Sequence, residues 1–412
     1  MSQHEGNSFR SINEDWIIQE APKAFHHFLD FLFEQVLRGS FLAIDKPVAN
    51  LAYGVCGTEI EGDEISIGMM FVPGREPASA SLREAAISSS VRHEWRKKDI
   101  KPYDLKDPQL SVLRKVIDVM RDAILGWTPG YYEHPVLVFT YGDDDHPTNI
   151  NLLGSHLLRC DTPVLDIEYV YENFSLPGSL AIWIKPHSTI RIYHAGAFLG
   201  HIVKLRDTNS WALRSLRHLE RFFSQEAGIM NQDLTPAIIK TGRIRKILRA
   251  MMTISEEKRG AALYIISETD FIEGMKPGDP ANNEEPGFIS RAKHRLYEGG
   301  QYNINNMPLG ELLTYLRQDG SVVIDEEGNW LGAGVYFRSP GGRKGSAEEV
   351  AKNRNGHVFV VSEDGGLFFY SNAVDKDFTT PPPGEDKVAY TGVRLDFLPI
   401  GKEPFEIRNS TP

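Results

Sequence analysis

The chain has 412 residues, 41% hydrophobic and 25% charged, long enough for two or three domains with their own cores and ordinary in composition for globular protein. Its net charge of −11, from 45 basic and 56 acidic residues, excludes a surface that coats nucleic acid broadly but leaves room for a local basic pocket. Two cysteines, Cys56 and Cys160, are too few and too far apart for a disulfide framework or a zinc-ligand spacing.

Residues 1–20 are polar and acidic and read as a flexible arm without the apolar core of a signal peptide. No window approaches about eighteen apolar residues, so the sequence predicts a cytoplasmic protein with no membrane partner. Pro22 opens a helix in which Phe25, Phe28, Leu29, Leu32, Phe33 and Val36 recur at helical spacing until Gly39. His26 and His27 on that helix invite a metal reading, but neighbouring helix residues diverge by about 100°, which favours a solvated face.

Strands are predicted over 48–56 and 65–72, a charged and partly helical region over 75–107, and a helix through Leu110, Leu113, Val116, Ile117, Met120 and Ile124. An apolar strand over 135–141 ends in Asp143-Asp144-Asp145-His146-Pro147. That run offers ligands for a divalent cation, or equally a solvated turn closed by proline. Strands follow over 164–171, 180–184, 189–193 and 198–205, and a helix carries Trp211, Leu213, Leu216, Leu219 and Phe222 or Phe223. Residues 21–230 thus read as an α+β region, with a boundary in the polar stretch 227–232.

The second half begins with a helix from Thr235-Pro236 whose apolar side holds Ile238, Ile239, Ile244, Ile247, Leu248 and Met251. A strand over 263–267 follows, then a long connection over 271–306, a short helix over 308–316 and the densest stretch of the chain, 318–366. This parses as an Asp-Gly turn, a strand over 321–324, an acidic turn, a second strand, a glycine-rich basic loop, a short helix and a third strand. Gly341, Gly342 and Gly345 free backbone N–H groups to face an anion, and Arg343 and Lys344 supply cationic donors. Asp319 is the type of hard oxygen ligand that a hydrated magnesium ion uses. Beyond 373 come an acidic segment, the Pro381-Pro382-Pro383-Gly384 break, a strand-like 388–397 and a tail without regular structure.

These residues carry a family resemblance. Asp319-Gly320-Ser321, Gly341-Gly342-Arg343-Lys344-Gly345 and Ser362-Glu363 resemble the Asp-Gly-Ala turn, the Gly-Thr-Arg-His-Arg loop and the Ser-Glu pair of diadenylate cyclase domains, the N-terminal domain of DisA-type proteins. The stretch 256–263 is similar to that family's first helix end and first strand, so the resemblance spans about 235–372, with 373–412 as a C-terminal extension. It implies an α/β domain with a mixed central sheet flanked by helices, ATP or a related nucleotide as ligand, magnesium or manganese held by Asp319, and contacts from Gly320, Ser321, Gly341, Gly342, Arg343, Lys344, Ser346, Ser362 and Glu363. It also makes a homo-oligomer compatible, since the family's reaction uses two faced protomers.

The departures are specific. Lys344 and Gly345 stand where the family has His and a second Arg. A lysine lacks the guanidinium's fork and a glycine has no charge at all. With each charge-assisted hydrogen bond worth about 1.5–3 kcal/mol, cyclase turnover should be badly weakened. The chain is in this respect similar to degenerate domains of bacterial conflict systems proposed as nucleotide sensors, which implies signalling or anti-phage defence. An active cyclase making cyclic di-AMP from two ATP, with Asp319 as its catalytic metal ligand, is the alternative. No P-loop spacing, third dinucleotide-binding glycine, nucleophile elbow or zincin helix is present.

Overall fold

The computed structural model describes residues 59–60, 63–64, 66–73, 93–99, 134–141, 147–157, 171, 180–185, 189–204, 211–224, 230–278, 285–295, 302–339, 342–374 and 392–395. The arm, the helices expected over 22–39 and 107–124, Cys56, Cys160, His26, His27 and the Asp143–His146 run lie outside them. The chain divides into two compact units, Met1–Ile202 and Val203–Pro412.

The first unit contains a small ladder of β1 (Glu59–Ile60) and β2 (Asp63–Glu64), and a mixed sheet. The sheet strands are β3 (Ile67–Pro73), β4 (His93–Asp99), β5 (His134–Tyr141), β6 (Pro147–Leu157), β7 (Leu180–Lys185), β8 (Thr189–His194) and β9 (Ala197–Lys204). They run in the order β9-β8-β7-β3-β5-β6-β4, with β3 and β5 parallel and β3 antiparallel to β7. His93–Asp99 is a strand, against the partly helical reading of that region. Its seven residues pair in unbroken antiparallel register with β6, from His93↔Leu157 to Asp99↔Asn151, and a full ladder outweighs the weak helix preference of its charged side chains. Buried Tyr171 stacks on both Trp183 and Tyr193 at 5.6 and 5.2 Å.

In the second unit β10 (Trp211–Ser215) runs straight into α1 (Leu216–Phe223), whose N-cap Ser215 accepts a hydrogen bond from the His218 N–H. The sequence assigned Trp211 and Leu213 to the helix, but a serine that satisfies a free first-turn donor fixes the start at 216. α2 (Ala237–Lys240) and α3 (Arg245–Glu256) replace one expected helix, with Gly242 at a left-handed φ of +69° between them. Then come β11 (Ala261–Ile265), α4 (Glu268–Gly274), β12 (Ile289–Arg295), α5 (Leu309–Leu316), β13 (Ser321–Ile324), β14 (Trp330–Phe337), α6 (Gly342–Arg354), β15 (His357–Val361), β16 (Leu367–Tyr370) and β17 (Gly392–Arg394).

The seven strands order as β12-β14-β13-β11-β15-β16-β17. Only β11 and β13 are parallel; β12/β14, β13/β14, β11/β15, β15/β16 and β16/β17 are antiparallel. Every residue of β11, β13 and β15 is buried, as a sheet covered on both faces requires. Alternation divides them: Ala262, Tyr264, Val323, Val358 and Val360 pack with Ala347, Val350 and Ala351 of α6, while Phe359 and Phe369 meet Phe223 of α1 at 5.5 and 4.8 Å. The domain is therefore α/β with helices on both faces of a mixed sheet. Its compact unit starts at 203, ahead of the boundary read at 227–232, because α1 contributes Phe223 to this core.

Two expectations change here. The connection over 271–306 contains a strand: β12 pairs with β14 across a bulge at Ile289/Arg291. The glycine-rich loop is shorter than expected: Gly342, at a left-handed φ of +65°, opens α6, and the helix holds through Gly345 because its Ala347, Val350 and Ala351 are buried on the sheet. Tertiary packing overrides poor helix propensity. Gly341 lies outside the described residues.

Candidate functional site

The strand directions bring the expected residues to one rim of the sheet. β11 and β13 are parallel, so Gly260 and the Asp319-Gly320 turn, which precede them, stand at the same edge. β14 and β15 run the other way, so Tyr336 near the end of one and Glu363 beyond the other return to that edge. α6 begins there too, with Arg343 as its second residue.

Arg343 lies between two carboxylates, 3.8 Å from Asp319 Oδ1 through one terminal nitrogen and 3.8 Å from Glu363 Oε1 through the other. Both distances exceed a hydrogen bond. The guanidinium lies so close to Gly260 that a Cβ there would fall 2.6 Å from its Nη1 and 3.1 Å from Glu363 Cγ. Asp319 and Glu363 are 74% and 84% exposed, and Arg343 34%.

Tyr336 donates its hydroxyl to Asp319 Oδ2 at 2.7 Å. That bond chiefly, helped by the Gly320 N–H, Arg343 and Lys293, holds the Asp319 carboxyl below the usual carboxylate range against the opposing effect of burial. Gly320 has φ +102°, and a Cβ on it would sit 2.7 Å from the Gly334 backbone, so the turn admits no side chain at that position. Arg317 clasps Glu257 through Nε and Nη2, at 3.0 and 2.6 Å, tying the approach to Asp319 to the end of α3.

The other predicted residues are placed differently. Ser321 is buried in β13 opposite Val335. Ser362 spends its hydroxyl on Asp364 Oδ1 and the Gly366 carbonyl. Burial pushes Asp364 upward, yet Ser362 and the Gly366 N–H, with Arg394 and Lys344, keep it below its ordinary value. Lys344 stands 4.1 Å over the Phe368 ring, which Arg394 also faces at 5.6 Å. Ser346 donates to the Gly342 carbonyl at 2.9 Å and lines a small cleft with Phe288, Phe337, Arg338, Glu349 and Asn353. Phe337 stacks on Tyr264 at 4.0 Å and faces Phe288 at 6.0 Å.

Tyr336, Lys293 and the cleft were missed by sequence reasoning. The tyrosine was within reach, because a hairpin over 321–337 returns the end of its second strand to the Asp319 turn. Lys293 was not, since its strand was not recognised.

Asp319 offers oxygens suited to magnesium or manganese, but one already accepts from a phenol and the other faces a guanidinium. Among the described residues no three His, Cys, Asp or Glu side chains are grouped so as to hold a metal. No described helix is long and apolar enough to cross a membrane.

No protein-family model matches the sequence, and no curated protein matches it. Among solved structures the chain is similar to a double mutant of DacA from Staphylococcus aureus, at TM-score 0.22 and 16% identity over 32% of this chain and 81% of that one. It is also similar to a hypothetical membrane spanning protein from Bacillus cereus, at TM-score 0.22 and 16% identity over 32% of this chain and 67% of that one. At that TM-score neither similarity bears on function.

Proposed function

We propose that the C-terminal domain is a nucleotide receptor, a degenerate relative of diadenylate cyclases that senses a nucleotide or a nucleotide-derived messenger for signalling or defence. One observation carries this reading. Asp319, Arg343 and Glu363, far apart in sequence, meet at the N-terminus of α6.

Several features favour a phosphate-bearing ring compound there. The two terminal nitrogens of Arg343 are drawn toward carboxylates without close hydrogen bonds, and the first turn of a thirteen-residue helix opens beside them. The neighbouring cleft has aromatic walls at Phe288 and Phe337 and polar groups at Ser346 and Asn353, a combination suited to a nucleobase. Cyclase activity is the weaker reading. Lys344, in the place of the family's histidine, is turned onto Phe368, and Gly345 has no side-chain donor for a departing pyrophosphate.

Native mass spectrometry of the full chain as purified tests the proposal. A copurified nucleotide, lost from Arg343→Met, is the expected result. An unliganded protein that also fails to take up any nucleotide from a panel of mono-, di- and cyclic nucleotides would refute it.

A further inference from the structure

The turn that carries Glu363 is held from beneath by residues distant in sequence. Resting on the receptor reading above, we propose that Arg214 is a positioning residue of the nucleotide site, and that β10 and α1 pass occupancy of the site to the rest of the chain.

Gly365 has φ +94°, a conformation that glycine adopts without strain, and its carbonyl oxygen is the meeting point of two buried donors. Arg214 of β10 donates to it through Nη2 at 2.7 Å, and the Ser255 hydroxyl, near the end of α3, donates to it as well. Arg214 also donates through Nη1 to the Ser255 oxygen, so the three groups close a small ring. Arg214 is 1% exposed and Ser255 0%. A buried guanidinium that lost these acceptors would bear the desolvation cost of a charge, so the contact resists displacement. On its outer side the same turn is closed by Asp364, which accepts from Ser362 and the Gly366 N–H. Held from both sides, the turn fixes the backbone from which Glu363 reaches Arg343 at 3.8 Å.

The grip extends along the hairpin. β15 and β16 flank the turn and pair in antiparallel register from Val358↔Tyr370 to Val361↔Leu367. Phe223, at the end of α1, packs on Phe359 of one strand and Phe369 of the other, at 5.5 and 4.8 Å. One continuous run, 211–223, therefore holds the Glu363 hairpin at its turn through Arg214 and at its strands through Phe223. Buried, close-packed contacts of this kind carry a displacement from one element to the next. A ligand that takes up the N–H donors of Arg343 changes how Arg343 faces Glu363, and the change is delivered to β10. In sequence, residues 205–210 are all that separates β10 from β9, the last strand of the first unit.

Isothermal titration and hydrogen–deuterium exchange of the full chain, with ATP, 3′,5′-cyclic AMP and cyclic di-AMP as probes, test the proposal. Arg214→Lys should weaken the probe that wild type binds best by about three- to tenfold, the size of coupling within one hydrogen-bond network. In a Glu363→Gln background the same substitution should change affinity by less than about twofold, because the residue through which Arg214 acts is already altered. A merely structural role would give equal losses in both backgrounds. Ser255→Ala, which leaves Arg214 its bond to Gly365, should show the same non-additivity with a smaller loss, and it keeps the test open where Arg214→Lys does not fold. Probe binding to wild type should slow exchange in peptides covering 211–215 as well as 360–366. Wild-type affinity in both variants, losses that add to that of Glu363→Gln, or exchange over 211–215 that ignores the probe would overturn the proposal and leave the receptor reading standing. If wild type binds none of the three probes, both fall together.

Discussion

Strand β13 has an aspartate at each end, and the two have opposite fates. Asp325, after its last residue, is consumed by the hairpin: Oδ1 accepts from the Glu327 and Asn329 N–H groups at 3.0 and 2.7 Å, and Oδ2 from Asn329 Nδ2 at 2.8 Å. Asp319, before its first residue, is 74% exposed, held by one phenol and facing a guanidinium. The same pair of turns recurs in miniature between β15 and β16. There Asp364 caps its own turn through the Gly366 N–H at 3.0 Å, while adjacent Glu363 extends to Arg343 at 3.8 Å. A carboxylate that closes a turn supports the fold, and one left outside the turn stays exposed beside Arg343.

The contrast can be broken or sharpened by substitution. The largest effect is expected at Gly320→Ala, where φ +102° and a Cβ 2.7 Å from the Gly334 backbone should cost about 3 kcal/mol in urea denaturation. Asp325→Ala, removing three hydrogen bonds, should cost about 2 kcal/mol and leave nucleotide affinity in the folded fraction unchanged. Asp319→Asn should change stability by less than about 0.5 kcal/mol while weakening nucleotide binding. Equal destabilisation by the last two would dissolve the distinction.

A consumed polar group of another kind gives a pH test. His357 is buried, with Nδ1 2.6 Å from the Ser371 hydroxyl, and burial lowers its pKa to about 4 although a bond to the Leu234 backbone acts in the other direction. The unfolded chain protonates this ring near pH 6.5, the folded chain only near 4. Stability from the neutral ring is therefore intact above about pH 6.5 and drains away as pH falls toward 4, by up to about 3 kcal/mol. Thermal melts of wild type and His357→Gln across that window should converge at low pH. The smallest effect belongs to Tyr336→Phe, which should raise the Asp319 pKa toward its ordinary value, measurable by carboxyl NMR titration, with little change in melting temperature.

The central elements of the second domain were legible because their residues are uniformly apolar. Val322, Val323 and Ile324, like Val358, Phe359, Val360 and Val361, make short buried runs bounded by turn residues, and Leu312, Leu313 and Leu316 mark a helix face. β12 was not legible: Ile289-Ser290-Arg291-Ala292-Lys293-His294-Arg295 forms an edge strand, in which pairing on one side replaces an apolar pattern. Nor did composition reveal that Gly345 lies within a helix that opens at Gly342, since the helix is stabilised by packing against β11 and β15 rather than by propensity. At the site, the pairing of Asp319 with Arg343 followed from a resemblance of motifs. Glu363 as the second flanking carboxylate, Tyr336 as its counterpart donor and the spent hydroxyl of Ser362 depended on strand direction and turn geometry, which a single sequence does not specify.

Photo-crosslinking of the full chain with an 8-azido nucleotide, followed by peptide mapping, tests the central claim most directly. The account predicts label on peptides covering 318–346 and 360–366, competed by unmodified nucleotide and lost in Arg343→Met. Specific label confined to peptides before residue 203, or labelling of the rim that persists undiminished in Arg343→Met, would contradict it.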